Sequence, residues 1–412
     1  MKSNRVLMTV ALLLMVSLLL AACAPQAAQQ PAPTQVAEKQ AAAQPAQEAA
    51  APAAEAAPAQ DVNWSKVTSA EEAGGMEALV AAAQAEGTLN VIALPDDWCN
   101  YGEMIKTFSE KYGITVNSIN PGAGSADEIQ AIIDNKENKG PQAPDVIDVG
   151  PAYGPQAKEQ GLITPYKVAT WDTISGVKDE EGYFYTDYNG VLVFEINTDV
   201  VKNVPQDYDD LLKPEYKGQV ALAGDPRASN QAAQTVYAAA IARGGSLDNI
   251  QPGLEFFKEL SKAGNLLPLI ADSGPIAKGE TPITFQWNYL ALANKDNFAG
   301  NPPIEIVYPK SVNWGGFYLQ AVSAYAPNPA AARLWQEFMY SDEGQSIWMK
   351  GYCAPARLAD MLDRGVVSDE LKAKLPDPAI IESAVVPSGD QLKAARDLIK
   401  EQWDSVVGLD IK

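Results

Sequence analysis

Short apolar runs alternate with segments of helical spacing along the chain from about residue 76 onward. Residues 88–94 form a continuous apolar run rich in β-formers, which is typical of a strand buried in a parallel sheet. The next segment carries Met104 and Phe108 at helical spacing and stops at Gly113. The same alternation continues to about residue 161. It predicts an α/β fold with mainly parallel sheets.

A second set of elements begins after the turn at 188–190. Four further apolar runs are predicted as strands, and helical segments separate them; the runs are 191–196, 219–223, 283–287 and 304–308. Residues 317–324 are predicted as a returning strand, and a helical C-terminal region follows. The part from residue 63 onward, roughly 350 residues, exceeds what one hydrophobic core usually holds. We therefore expect two lobes.

The amino terminus has the pattern of a secretory signal. Lys2 and Arg5 precede an apolar run at 6–20. The run closes with Leu20-Ala21-Ala22-Cys23, which resembles a bacterial lipobox. This resemblance implies that residues 1–22 are a lipoprotein signal peptide and that Cys23 is lipidated, which holds the exported protein at a membrane surface. An uncleaved anchor is disfavoured because the run is shorter than the roughly 20 residues of a spanning helix.

Residues 23–62 are almost entirely Ala, Pro, Gln and Glu and contain no aromatic residue. Such a segment buries too little apolar surface to offset the entropy lost on ordering. Repeated prolines also oppose a continuous helix. We expect a flexible, disordered tether between the anchor and the folded part.

Composition narrows the possible functions. The chain has 52 Asp and Glu against 31 Lys and Arg, so nucleic acid is not an expected partner. It has no histidine, which excludes Ser-His-Asp and Cys-His nucleophiles and His-bearing zinc sites. There is no P-loop motif, so the chain is not itself an ATPase of that kind. Neither a cofactor nor a metal is expected. An exported lyase or hydrolase using paired carboxylates is the alternative class, but nothing in the sequence marks such a pair, so the protein is not expected to be an enzyme.

Two cysteines remain in the exported part, Cys99 and Cys353. In an oxidising compartment an even pair is expected to form a disulfide. Two buried free thiols are the alternative.

The first-lobe candidates for ligand binding lie where the predicted strands end, because ligands in open α/β sheets bind outside the carboxyl ends of the strands. They are Asp96, Asp97, Trp98 and Tyr101 after the first strand, Ser125 before the next helix, and Tyr153 after the third strand. Carboxylates beside an indole suit an ammonium group. The alternatives are a surface turn for the acidic loop, a plain helix cap for Ser125, and packing for Tyr153.

The second-lobe candidates lie at a helix start and at a strand end. They are Asp225, Arg227 and Ser229 at the start, and Trp287 and Tyr289 at the end. Asp225 suits a helix cap, while Arg227 either pairs with Asp225 or holds a ligand carboxylate or phosphate.

Several stretches together resemble the substrate-binding proteins of ABC importers with the type II periplasmic-binding-protein fold. They include APDVIDVGPAYG, YNGVLVFEINTDVV and YLQAVSAYAPNPAAARLWQEFMYSDEGQSIW. The resemblance implies a first lobe of 63–190 plus 318–412 and a second lobe of 191–317, joined by crossings at about 190–196 and 317–324. It further implies a monomer on the extracytoplasmic face that captures a small solute in the cleft and delivers it to a membrane permease.

The ligand expectation follows from the same resemblance, which is nearest to the spermidine/putrescine and ferric-iron branches. A polyamine fits the acidic surface, the Asp96-Asp97-Trp98 loop and Trp287. The ferric branch has adjacent tyrosine ligands, and the cluster of Tyr183, Tyr185 and Tyr188 departs from that spacing. A small anion such as a phosphonate or sugar phosphate would use Arg227 and the Ser125 turn. A ligand-presenting sensor is the alternative to import.

Overall fold

The computed structural model of the protein describes residues 62–412. The expected signal peptide, the lipidated Cys23 and the tether as far as residue 61 lie outside the described residues. No helix in the described part is long and apolar enough to cross a membrane.

The first lobe is an α/β unit built as the hydrophobic pattern predicts. Its strands are β1 (Thr88–Ile92), β2 (Thr115–Ile119), β3 (Val146–Val149) and β4 (Ile163–Thr164). Its helices are α1 (Gly75–Glu86), α2 (Tyr101–Tyr112), α3 (Ser125–Asp134) and α4 (Tyr153–Glu159). Helix α2 buries Tyr101, Met104 and Phe108 on one face, and it ends where Gly113 adopts a φ of 68°.

A long strand, β5 (Tyr185–Asn197), leads into the second lobe. The strands there are β6 (Val220–Leu222), β7 (Leu266–Ile270), β8 (Ile283–Trp287) and β9 (Ile304–Val307). The helices are α5 (Asn230–Ala242), α6 (Gln251–Ala263), α7 (Ser273–Lys278) and α8 (Asn288–Phe298). Strand β10 (Gly315–Ser323) returns to the first lobe, where it pairs with β3.

The C-terminal region is helical. It contains α9 (Pro329–Met339), α10 (Asp342–Lys350), the short β11 (Ala354–Pro355), α11 (Leu358–Asp363), α12 (Asp369–Lys372), α13 (Pro378–Glu382) and α14 (Gly389–Val406). Helix α14 packs on α5 and α6 of the second lobe, where the ring of Trp403 lies 5.8 Å from that of Phe257. The sequence suggests that the whole region after residue 317 returns to the first lobe, and α14 departs from that expectation. A helix's amphipathic pattern shows which face is buried but does not identify the partner.

The α/β two-lobed fold with two crossings is confirmed, and its sheets are mixed. Strands β1 and β2, β6 and β7, and β6 and β8 pair in parallel. The crossing strands β5 and β10 pair antiparallel with each other and with their neighbours in both lobes. Parallel pairing is thus less general than the alternation of strand and helix predicts, because each crossing strand enters a lobe from the opposite direction.

The two crossing strands meet at a pair of glycines, since Gly316 lies opposite Gly190 in the register. A Cβ on Gly316 would lie 2.1 Å from the ring of Trp287, so no larger residue fits there without movement. Beyond this point β5 leaves β10 and pairs with β8 from Leu192 onward. The crossing is therefore close-packed against the end of β8.

Candidate functional site

A cleft of about 380 Å³ lies between the lobes. The first lobe lines it with the loop after β1 and with the turn that opens α3. The second lobe lines it with the start of α5 and the end of β7, and Tyr318 of the crossing strand β10 also contributes. No Lys or Arg is among the described residues that line it.

The cleft includes four of the side chains proposed from the sequence: Asp97, Trp98, Ser125 and Ser229. Ser125 is buried, and its Oγ accepts a hydrogen bond from the backbone N–H of Gly150 at 3.0 Å. Ser229 caps α5 by accepting from the N–H of Ala232 at 3.3 Å. Ser229 therefore caps a helix at the cleft, whereas Ser125 ties the start of α3 to the loop after β3.

The remaining first-lobe candidates lie beside or beneath the cleft. Asp96 is exposed in the loop and is not among the lining residues. Tyr101 is buried, and its hydroxyl donates to Asp148 at 2.9 Å. Tyr153 is also buried, with the guanidinium of Arg396 3.9 Å from its ring centre.

The remaining second-lobe candidates are engaged within the protein. The guanidinium of Arg227 binds Asp225, and it also binds Asp404 at 2.6 Å and Asp410 at 2.7 Å. These partners tie the loop before α5 to the C-terminal end of the chain, so both Asp225 and Arg227 are occupied away from the cleft.

Trp287 and Tyr289 belong to the wall behind the cleft. Trp287 is fully buried and stacks on Tyr289 with ring centres 6.3 Å apart. Tyr289 in turn meets the edge of Trp98 at 5.7 Å. These rings support Trp98 from the second lobe.

A buried hydrogen-bond network lies under the cleft. Trp98 Nε1 donates to the Tyr188 hydroxyl at 2.6 Å, and this hydroxyl donates to Asp148 at 2.9 Å. Gln320 donates to the Tyr101 hydroxyl at 2.7 Å and to Asp187 at 3.1 Å. The network joins the cleft loop to both crossing strands.

Two acids of this network, Asp148 and Asp187, are buried and interact with each other. Burial raises the pKa of Asp148 to about 7. Burial, and then the neighbouring Asp148, raise the pKa of Asp187 well above its ordinary value. The pair therefore binds at least one proton near neutral pH.

Sequence reasoning missed an amide-rich surface on the second lobe. Asn230, Gln231, Gln286 and Asn294 all line the cleft. Asn294 donates to Glu195 at 3.0 and 3.2 Å, which fixes the orientation of its amide. Gln286 lies near the end of β8, and Asn230 and Gln231 directly follow the capping Ser229, so their positions offered a sequence signal, whereas Asn294 lies inside α8 and offered none.

The described residues contain no group of three or more Asp, Glu or Cys side chains arranged to hold a metal. Of the tyrosines considered for iron, Tyr185 and Tyr188 are buried, and Tyr183 packs outside the cleft against Lys158 at 4.5 Å. Cys99 and Cys353 form a disulfide with their Cα atoms 5.7 Å apart. It joins the loop that carries Trp98 to the segment after α10.

A family model of bacterial extracellular solute-binding proteins matches residues 142–381, more than half of the chain. The chain belongs to this family. Solute-binding proteins of the family bind small ligands and work with ABC permeases, and membership implies export. An uncharacterised protein of Haemophilus influenzae is 32% identical over 269 residues, which cover 60% of this chain and 71% of that protein.

Solved structures share the fold. The periplasmic binding protein AfuA of Actinobacillus pleuropneumoniae, with fructose-6-phosphate bound, superposes with a TM-score of 0.62 at 23% identity. The match covers 78% of this chain and 99% of AfuA. Iron-bound HitA of Pseudomonas aeruginosa has a TM-score of 0.56 at 17% identity, over 76% of this chain and 99% of HitA. At these identities the likeness concerns the fold alone.

Proposed function

We propose that this solute-binding protein takes a small solute with an anionic group on a polyhydroxylated body, with a sugar phosphate as the representative compound. Its relatives in structure carry solutes as different as fructose-6-phosphate and iron, so the choice rests on the residues of this cleft. The observation that carries the proposal is the pair of helix starts that face each other across it.

Both helix starts offer unpaired donors. In α3 the N–H groups of Ser125 and Ala126 have no acceptor among the described residues, and in α5 the same holds for Asn230 and Gln231. A Cβ on Gly124 would lie 3.9 Å from the carbonyl oxygen of Ala228, so the two starts are close. Helix N-termini carry a partial positive charge and suit anions. An anion can bind here without help from Arg227.

The amide-rich surface suits the rest of such a solute. Amides offer both donors and acceptors, which match hydroxyl groups. Trp98 and Tyr318 add aromatic faces on the opposite side, with ring centres 5.4 Å apart. A cleft of about 380 Å³ accommodates a compact solute of this kind.

A polyamine-like cation is the second candidate, and specific residues favour it. Asp97 is exposed at the cleft beside Trp98, and Asp272, which is also exposed, lines it together with Asp148 and Glu128. Burial raises the pKa of Glu128 well above its ordinary value, so this side chain is a poor source of fixed negative charge at neutral pH. The exposed carboxylates of Asp97 and Asp272, with Trp98, are therefore the principal support for a cation.

The proposal also includes the lipid anchor at Cys23 and a monomeric receptor that delivers its solute to an ABC permease. Lobe closure on the solute is proposed to occur about the Gly190 and Gly316 pair, with the first lobe built from 63–190 and the chain after 317 except α14. We propose no catalytic role, because no nucleophile with an activating base is identified among the described residues at the cleft.

Two variants of one residue test the anion site. Ser125 is the first residue of α3 and follows a Gly124 with extended backbone, so proline fits there. Ser125→Ala removes the Oγ, whereas Ser125→Pro removes the Oγ and the N–H. Titration calorimetry with fructose-6-phosphate is expected to show affinity for the wild type and Ser125→Ala, and at least a tenfold loss for Ser125→Pro. Equal affinity of the two variants would show that the N–H groups at the helix start do not bind the anion.

Asp97→Asn is expected to change the affinities of the two candidate ligands in opposite directions. Removing this carboxylate is expected to strengthen binding of a sugar phosphate and to weaken binding of spermidine. Wild-type binding of spermidine but not of fructose-6-phosphate or inorganic phosphate would replace the anion proposal with the cation.

A further inference from the structure

A second, much smaller cavity lies behind the cleft, between α14, α5 and the start of α4. Its volume is about 10 Å³, which is room for one water-sized particle. Asn230 lines both this cavity and the cleft, so the two share a wall residue. No Asp or Glu is among the described residues that line it.

One side of the cavity is the guanidinium of Arg396, which is only 7% exposed. It stacks on Tyr153, and its Nη2 donates to Gln156 at 3.2 Å. Its Nε and Nη1 have no hydrogen-bond partner, and no salt bridge to it is found among the described residues. Because arginine stays protonated in proteins, this is a buried positive charge without a counter-charge.

Gln234, which also lines the cavity, has a second unpaired donor group. Gln234 is buried, and its Oε1 accepts a hydrogen bond from Trp314 Nε1 at 3.0 Å. An indole N–H only donates, so the amide oxygen must face it and the NH₂ group must point away. That Nε2 has no partner among the described residues.

We propose that this cavity is a binding site for one small monovalent anion, with chloride as the physiological occupant. The free nitrogens of Arg396 and Gln234 are all donors, and the net charge of the lining is positive. A water molecule is the alternative occupant, because the Asn230 amide and the Tyr237 hydroxyl also line the cavity and offer it acceptors. The small volume of about 10 Å³ favours a monatomic anion over larger anions such as phosphate.

The site lies where the lobes meet. Arg396 belongs to α14, which packs on the second lobe, while Tyr153 and Gln156 belong to α4 of the first. A bound anion would neutralise Arg396 at this contact and would adjoin Asn230 of the cleft. The inference does not depend on which solute the cleft takes.

Thermal unfolding of the full protein in sodium chloride and in sodium gluconate of equal ionic strength tests the site. Chloride is expected to raise the Tm by at least about 1 °C in a saturable manner, because an anion that binds only the folded state stabilises it. Crystals soaked in bromide are expected to show an anomalous peak between Arg396 and Gln234. Equal Tm values in the two salts, or a water only at this position, would overturn the proposal.

Gln234→Glu is the informative variant. It keeps an acceptor for Trp314 and places a carboxylate beside Arg396, so the protein should fold and lose its chloride dependence. Gln160→Glu adds the same charge at an exposed site and should keep the chloride dependence of the Tm. Persistence of the chloride effect in Gln234→Glu would contradict the assignment.

Discussion

The indole Nε1 of Trp98 donates a 2.6 Å hydrogen bond to the hydroxyl of Tyr188. Trp98 belongs to the cleft loop of the first lobe, and Tyr188 belongs to β5 just before the crossing. The bond therefore connects a cleft wall directly to a strand that crosses between the lobes. The Tyr188 hydroxyl in turn donates to Asp148, so Trp98 and the buried acids belong to one chain of hydrogen bonds.

Trp98→Phe removes this hydrogen bond while it keeps an aromatic ring against Tyr289 and Tyr318. We expect the free energy of unfolding to fall by about 1 kcal/mol, the usual net worth of one buried hydrogen bond. Solute affinity should fall with it. Urea denaturation and calorimetry measure both, and Trp171→Phe is the matched control because Trp171 lies outside the cleft. Equal losses in the two variants would contradict a specific role of the Trp98 bond.

The Cys99–Cys353 disulfide closes a loop across 254 residues and anchors the segment next to Trp98. Replacing both cysteines with serine should lower the free energy of unfolding by about 2–4 kcal/mol, since the cross-link restricts the unfolded chain. A reductant should lower the Tm of the wild type and leave that of the double variant unchanged. A reductant effect of equal size in both proteins would show that the bond is not the cause.

Buried carboxyl groups should make the protein less stable as pH rises. Burial raises the pKa of Glu195 to about 7, although the hydrogen bond from Asn294 opposes the shift. In the unfolded state Glu195 has a pKa of about 4, so it ionises at a lower pH than in the folded state. The free energy of unfolding that Glu195 contributes is therefore complete below about pH 4 and is lost as pH rises through about 7. Asp148 adds a loss of the same sign.

Glu195→Gln tests this expectation because glutamine keeps an acceptor for Asn294. The variant should be more stable than the wild type at pH 8, by on the order of 3 kcal/mol, and the two should converge near pH 4. Denaturation curves across this range measure the difference. A constant difference at every pH would mean that titration of Glu195 is not responsible.

The sequence predicts local features of this molecule well and long-range ones poorly. The apolar runs locate β1, β5 and β8. The pattern does not show that Arg227 binds Asp404 and Asp410, because these partners lie 177 and 183 residues away. The side chains missed at the cleft, such as Gln231 and Asn294, carry no periodic signal.

The long-range ion pairs of Arg227 can be tested directly. Since its guanidinium is engaged by Asp225, Asp404 and Asp410, Arg227→Met should lower stability by about 1 kcal/mol, as expected for a largely solvated ion-pair network. Affinity for an anionic solute should change less than threefold. A loss of tenfold or more, with stability preserved, would restore the direct role in binding that the sequence suggested.

Gly316 provides the last prediction, at the crossing itself. A Cβ there would meet three ring atoms of Trp287 at 2.1–2.8 Å, so Gly316→Ala must displace the indole or separate β5 from β10. We expect a loss of about 1–3 kcal/mol in the free energy of unfolding, the usual cost of overpacking. Gly122→Ala is the control, because a Cβ at that residue would meet no described atom within 4 Å. Adding Trp287→Phe removes the clashing end of the ring and should recover part of the loss, a non-additivity that backbone strain alone would not produce.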